Sequence, residues 1–285
     1  MDTGKSIISL IEERITQGDI RLPILEKMAA TVHTLFDRED VSINQIATVI
    51  EKEPAIVVKV LNLANSAAFS GVSKVHTVER AVARLGLKNV KNFMMTQALK
   101  DIFKGQNPLL YQIFKIWWKH SLACAIFCRR LVEQVKRPQL ADDAYLIGLL
   151  HDIGTVFILN TIEHVNEEMN GCFENNAELL HEIIASLHAR ASGEILSKLE
   201  FDKDFCRIVT THHTPEDYED PENILFNTLQ VVNSILCKIG IALKSDPSLT
   251  IISLPSAKRL DVDPVFIAMT EIDIEDEVAA LEGCL

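Results

Sequence analysis

The stretch LIGLLHDIGTVFIL, residues 146–159, is apolar almost throughout, yet it carries His151 and Asp152 side by side at its centre. A segment this apolar belongs in a core, and burying a carboxylate or an unpaired imidazole there costs several kcal/mol unless a partner satisfies it. Any fold open to this chain therefore has to bring other polar groups onto the pair. These form either a hydrogen-bonded brace or a site for a metal or substrate, and the remaining sequence has to say which.

The surroundings are helical. Apolar residues recur at helical spacing, no run alternates apolar with polar as a half-buried strand would, and an all-α fold is predicted. SINQIATVIEKEP, from residue 42, puts Ile43, Ile46, Ala47 and Ile50 on one face behind a Ser42 cap, and Pro54 suits the first turn of the next helix. Thr77 caps a third helix, which Gly86 is placed to end in a left-handed conformation. Residues 42–65 have the outline of a DNA-binding helix-turn-helix. However, Ile56, Val57, Val60, Leu61, Leu63 and Ala64 cover most of the second helix, where a recognition helix needs a polar face. FKGQNPLL, residues 103–110, is the best candidate boundary. After it we expect a long helix over 109–135, a helix carrying the His-Asp pair, helices in NAELLHEIIASLHARASGEILSKLEF and DFCRIVTTHHTP, and one near 222–244; the acidic EIDIEDE reads as a solvated helix start.

With 48% hydrophobic and 24% charged residues among 285, wholesale disorder is excluded. The net charge of −12 is uneven: residues 1–100 hold 13 Lys and Arg against 11 Asp and Glu, and the remainder holds 15 against 29. Overall acidity argues against nucleic acid as a partner, and Lys74, Arg80, Arg84, Lys88 and Lys91 read as a solvated basic face. No secretory pattern opens the chain, no uncharged apolar stretch reaches the roughly 20 residues that span a bilayer, and the six cysteines form no CxxC pair. These features predict a cytoplasmic protein with reduced cysteines and no membrane partner.

The histidines sharpen the opening question. His120 lies within a predicted helix, His151 adjoins Asp152, His188 follows the apolar IIASL, and His212 and His213 precede Pro215. Imidazoles and a carboxylate gathered from separate helices are what a divalent metal site requires. His33, His76, His164 and His181 lack such company and read as surface or structural.

At this point the chain resembles the HDOD family, a divergent branch of the HD metal-dependent phosphohydrolases. LPILEKMAA from Leu22, IEKEPAIVVKVLNLANSAAFSG from Ile50 and VERAVARLGLKNVKNFMM from Val78 are similar to successive HDOD signatures, and GLLHDIG, HARASGEIL and THHTPE continue the series in order. The resemblance covers about residues 20–240. It implies an N-terminal helical subdomain (1–104) packed on an HD-like helical bundle (105–245), followed by a C-terminal helical extension (246–285). It also implies a role in bacterial signalling or regulation, with signalling proteins as partners. Catalytic HD enzymes bind metal through a His, the His-Asp doublet and a later Asp, which maps onto His120, His151 and Asp152. The later Asp is matched here by Asn233, a neutral and poorer ligand. His188, His212 and His213 lie where related dinuclear HD proteins place further ligands.

The expectation is a non-catalytic HDOD regulatory module with a degenerate pocket able to take a divalent metal; the alternative is an active metal-dependent phosphohydrolase acting on a nucleotide or phosphorylated compound. A structural role is expected of Asn65 and Ser66. They sit in a stretch of small residues, and the Asn65 amide is placed to pair buried backbone and fix how the subdomain sits on the bundle.

Overall fold

The computed structural model describes residues 3–17, 22, 25–26, 42–52, 54–66, 69, 71, 73–100, 102, 107–168 and 176–282. Most of the LPILEKMAA signature, together with Ala67, Ala68 and Ser70, lies outside these residues. Among the described residues all regular structure is helical. The chain divides into two compact units: residues 1–22 with 102–274, and residues 23–101 with 275–285.

The smaller unit contains α2 (Ile43–Ile50), α3 (Pro54–Ala64), α4 (Val78–Leu85) and α5 (Leu87–Lys100). Its helix ends follow the sequence signals. Ser42 caps α2 in a reciprocal capping box with Gln45, Thr77 accepts a hydrogen bond from the Arg80 amide, and Gly86 ends α4 at φ 78°. Arg84, assigned to a solvated basic face, instead reaches inward along its own unit, donating to the Ala64 and Ser73 carbonyls at 3.2 and 2.6 Å.

The larger unit is the bundle: α1 (Thr3–Gln17), α6 (Pro108–Gln134), α7 (Ala141–Leu150), α8 (Ile153–Glu168), α9 (Ala177–Lys198), α10 (Lys203–Thr211), α11 (Ile224–Lys238), the short α12 (Pro255–Arg259) and most of α13 (Pro264–Glu282). The first 22 residues and residues 246–274 thus group with the bundle. The long α6 is its axis, packed against α7 and α11, while α9 packs against α8, α10 and α1. Asn107 starts α6 by accepting from the Leu109 and Leu110 amides, with Pro108 at the first helical position.

Three expectations are corrected. The His-Asp segment is not one helix, because α7 ends at Leu150 and α8 begins at Ile153, leaving the doublet in the break. The helix expected to reach residue 244 ends at Lys238: Gly240 turns the chain at φ 82°, and the Ile241 amide closes back on the Leu236 carbonyl. EIDIEDE lies inside α13 rather than at its start, with Ile274 fully buried and Glu271 paired to Lys238 at 2.6 Å. By length and composition Pro138–Asn166 could cross a membrane, but 89% of that window is buried inside the protein, as befits a core segment.

Candidate metal centre

The helix break explains how the doublet is presented. His151 caps α7 in a helical conformation and donates from Nδ1 to the Gly148 carbonyl at 2.8 Å, while the Asp152 carbonyl accepts from Trp117 Nε1 at 2.8 Å and from the Thr155 amide at 2.9 Å. Trp117 lies one turn before His120 on α6, so one face of that helix both clamps the doublet's backbone and supplies an imidazole to the cluster. Spacing alone could have found Trp117.

Absence of side-chain bulk brings the helices together. A Cβ on Gly148 would lie 2.6 Å from the Cys124 carbonyl of α6, and one on Gly154 would lie 2.7 Å from the Ser192 amide of α9. The Gly154 amide instead donates to Ser192 Oγ at 2.8 Å. These contacts draw α7 onto α6 and α8 onto α9, and with them His151 onto His120 and Asp152 onto His188.

Asp152 is the centre. Its Oδ2 lies 3.7 Å from His120 Nε2 and 3.4 Å from His151 Nε2; its Oδ1 lies 3.3 Å from both His188 Nε2 and His212 Nε2. His213 joins through Nε2, 2.9 Å from His188 Nε2. Two adjacent histidines diverge by about 100° around a helix, but His212 is the C-cap of α10, where the chain leaves helical geometry, and the two rings stay 4.0 Å apart. The donor atoms form two groups sharing Asp152, one with His120 and His151 and the other with His188, His212 and His213, each within 4.8 Å. Asn233 is half-buried on α11, one turn beyond Gln230, whose side chain donates to the His212 carbonyl.

Four of these imidazoles are held alike. The Nδ1 atoms of His120, His151, His188 and His212 donate to the carbonyls of Ile241, Gly148, Ile184 and Val209 at 2.6–2.8 Å. Spending the proton on Nδ1 leaves a lone pair on each Nε2, aimed at Asp152. His120 and His151 then face each other Nε2 to Nε2 at 3.2 Å. Asp152 Oδ1 and His212 Nε2 are buried with no hydrogen-bond partner. Converging lone pairs and an orphaned carboxylate oxygen fit a bound cation. A donor set of five imidazoles and one carboxylate suits a first-row transition ion better than Mg²⁺ or Ca²⁺.

The electrostatics agree. Burial would raise the Asp152 carboxyl, but His151 and His188 hold it well below the ordinary range, so it is an anion. Burial takes His151 down to about 3 and also lowers His120, both against the pull of Asp152. His188 goes the other way: burial is outweighed by the negative charge of Asp152 beside it, and its pKa rises.

Asn65 is half-buried rather than fully inside. Its Nδ2 donates to the Leu61 and Val75 carbonyls, both at 2.9 Å, and its Oδ1 accepts from the Val75 amide at 2.8 Å. Ser66 Oγ donates to the Leu63 carbonyl at 2.8 Å. The expected backbone pairing is present, but it ties the segment after α3 back onto its own unit, where a bond to the bundle was expected.

Fold and site together define an HD-like helical protein. In sequence the chain matches the HDOD domain family over residues 22–215, and it belongs to that family. It is 22% identical over 209 residues to an uncharacterised protein of Treponema pallidum (strain Nichols) and 26% identical over 132 residues to the uncharacterised protein YuxH of Bacillus subtilis (strain 168). These matches cover 70% and 46% of this chain but only 39% and 31% of the relatives. In structure it is similar to a protein of Shewanella amazonensis SB2B provisionally named a metal-dependent phosphohydrolase (TM-score 0.72, 19% identity, 98% of this chain and 99% of that one). An HDOD domain protein of unknown function from Geobacter sulfurreducens is as similar (0.71, 18%, 99% of each). A protein of Marinobacter aquaeolei VT8 provisionally named for signal transduction follows (0.69, 18%, 100% of this chain and 66% of that one).

Proposed function

We propose that this chain is a regulatory HDOD module that acts through protein partners and holds a divalent transition-metal ion in its bundle without turning over a phosphoester. The observation that carries the reading is the donor set: Asp152 is the single carboxylate among six converging groups. By the resemblance to catalytic HD enzymes, Asn233 is the residue matched to their second carboxylate. A neutral amide weakens both the affinity and the orientation of a cation, and a loss of orientation costs turnover before it costs binding. The resemblance to a protein provisionally named for signal transduction supports the regulatory half of the reading.

The alternative, a metal-dependent phosphohydrolase, is favoured by one observation: the two donor groups share Asp152, as in a two-cation site. There a metal would lower the pKa of a bound water. His120, His151 and Asp152 would hold it, with His188, His212 and His213 beside them.

The deciding experiment combines metal analysis of protein purified without chelator with a phosphoesterase screen. Bound transition metal, with turnover no greater than that of His151→Ala, is expected. Robust turnover abolished by His151→Ala would overturn the non-enzyme reading in favour of the alternative.

A further inference from the structure

The regulatory reading leaves the docking surface unnamed, and α13 offers one. Its inner face is buried through Ile267, Thr270 and Ile274, which are 1–7% exposed. Its outer face repeats the pattern in solvent: Val265, Met269 and Ile272 are 60%, 56% and 76% exposed, and Ala268 lies exposed among them. Residues 265, 268, 269 and 272 fall at i, i+3, i+4 and i+7, so they form one continuous apolar stripe. A helix apolar on two opposite faces has a second surface to cover.

The charge around the stripe says what covers it. From Leu260 to Leu285 the chain has eight Asp and Glu and no Lys or Arg. Exposed Asp263 stands at the start of the helix, accepting from the Val265 amide at 2.8 Å. Asp273 is partly exposed alongside, while Glu271 is already paired to Lys238. A second copy of this face would set carboxylates against carboxylates, and an anionic membrane would repel it. A helix with its own apolar stripe and flanking Lys or Arg satisfies both features at once.

We infer that the outer face of α13, Val265–Ala268–Met269–Ile272 between Asp263 and Asp273, docks a basic amphipathic helix of a partner protein. This rests on the regulatory reading for the existence of a partner, but not for the chemistry of the surface.

The test titrates the full chain with two labelled amphipathic peptides of about 20 residues, one built from Leu and Lys and one with the same Leu positions and Glu for Lys. Fluorescence anisotropy reads binding. The Leu/Lys peptide should bind in a salt-sensitive manner, the Leu/Glu peptide should not, and Met269→Ser/Ile272→Ser should weaken binding about tenfold or more. Asp273→Asn should weaken it and flatten the salt dependence. Because the substituted side chains are exposed, an unchanged circular-dichroism melt confirms that each variant is folded. Equal binding by wild type and the serine variant, equal binding of both peptides, or self-association of the chain lost in the serine variant would each overturn the inference. None of these outcomes touches the phosphoesterase assay, so the surface and the regulatory reading fail separately.

Discussion

At the residue scale, single polar side chains hold this protein's irregular backbone in place. Asn65 makes three hydrogen bonds at 2.8–2.9 Å to the backbone of Leu61 and Val75, and Arg84 covers neighbouring carbonyls. Asn65→Ala would strand the Val75 amide and carbonyl, so a loss of about 1–3 kcal/mol is expected. A thermal melt measures it, and an unchanged midpoint would show that water replaces the amide without cost. His151 sets the acid limit. Its pKa is about 3 in the fold, below the ordinary value of 6.5, so the unfolded chain takes up a proton that the folded chain refuses. Stability is therefore full above 6.5 and falls as the pH drops from there toward 3, by at most about 1.4 kcal/mol per pH unit for this one group. Asp152, held low, adds a further loss once the pH falls below its ordinary value of 3.8, because the unfolded carboxylate then takes up a proton that the folded one refuses. In chelator-treated protein the melting temperature should begin to fall below pH 6.5; a flat profile down to pH 4 would contradict the buried neutral imidazole.

At the element scale, the helices reach the site through close approaches that bulk would prevent. Gly154 lies against the His188 carbonyl and the Ser192 amide of α9. Gly154→Ala must push α8 off α9, and a cost of about 1–3 kcal/mol is expected. The same displacement carries Asp152 away from His188 and His212, so transition-metal affinity should fall even though no ligand is altered. Calorimetric titration of the folded variant would measure this, and wild-type affinity would show that the doublet is placed by the Trp117 clamp alone. The break between α7 and α8 was not visible in the sequence, because LIGLLHDIGTVFIL suits a continuous helix residue by residue. Tertiary bonds select the break: Trp117 of α6 takes up the Asp152 carbonyl, and the His151 side chain turns back onto Gly148.

At the scale of the whole molecule, the chain's only two tryptophans, Trp117 and Trp118, are buried in α6 of the bundle unit. Tryptophan emission therefore reports the unit that carries the histidine cluster. A transition ion at about one hundred times its dissociation constant adds about 2.7 kcal/mol to that unit. The fluorescence-detected midpoint should rise by roughly 5–10 °C, and Asp152→Asn should abolish the rise; an equal shift in that variant would place the metal elsewhere. By itself the sequence determined the helical class, through apolar spacing and the caps at Ser42, Thr77 and Gly86. It also carried the HDOD signatures and the histidines and aspartate that the fold gathers, because residue type and local period are properties of the chain alone. What it left open was decided by contacts between residues distant in the chain. Ile241 supplies the carbonyl that sets the His120 tautomer from 121 positions away. Gly148 and Gly154 set the helix spacing, and Asp152 stands between two groups of imidazoles instead of beside one. The outward stripe of α13 emerged only once its other face was seen to be buried, since apolar residues on two sides of a helix look alike until the core has claimed one of them.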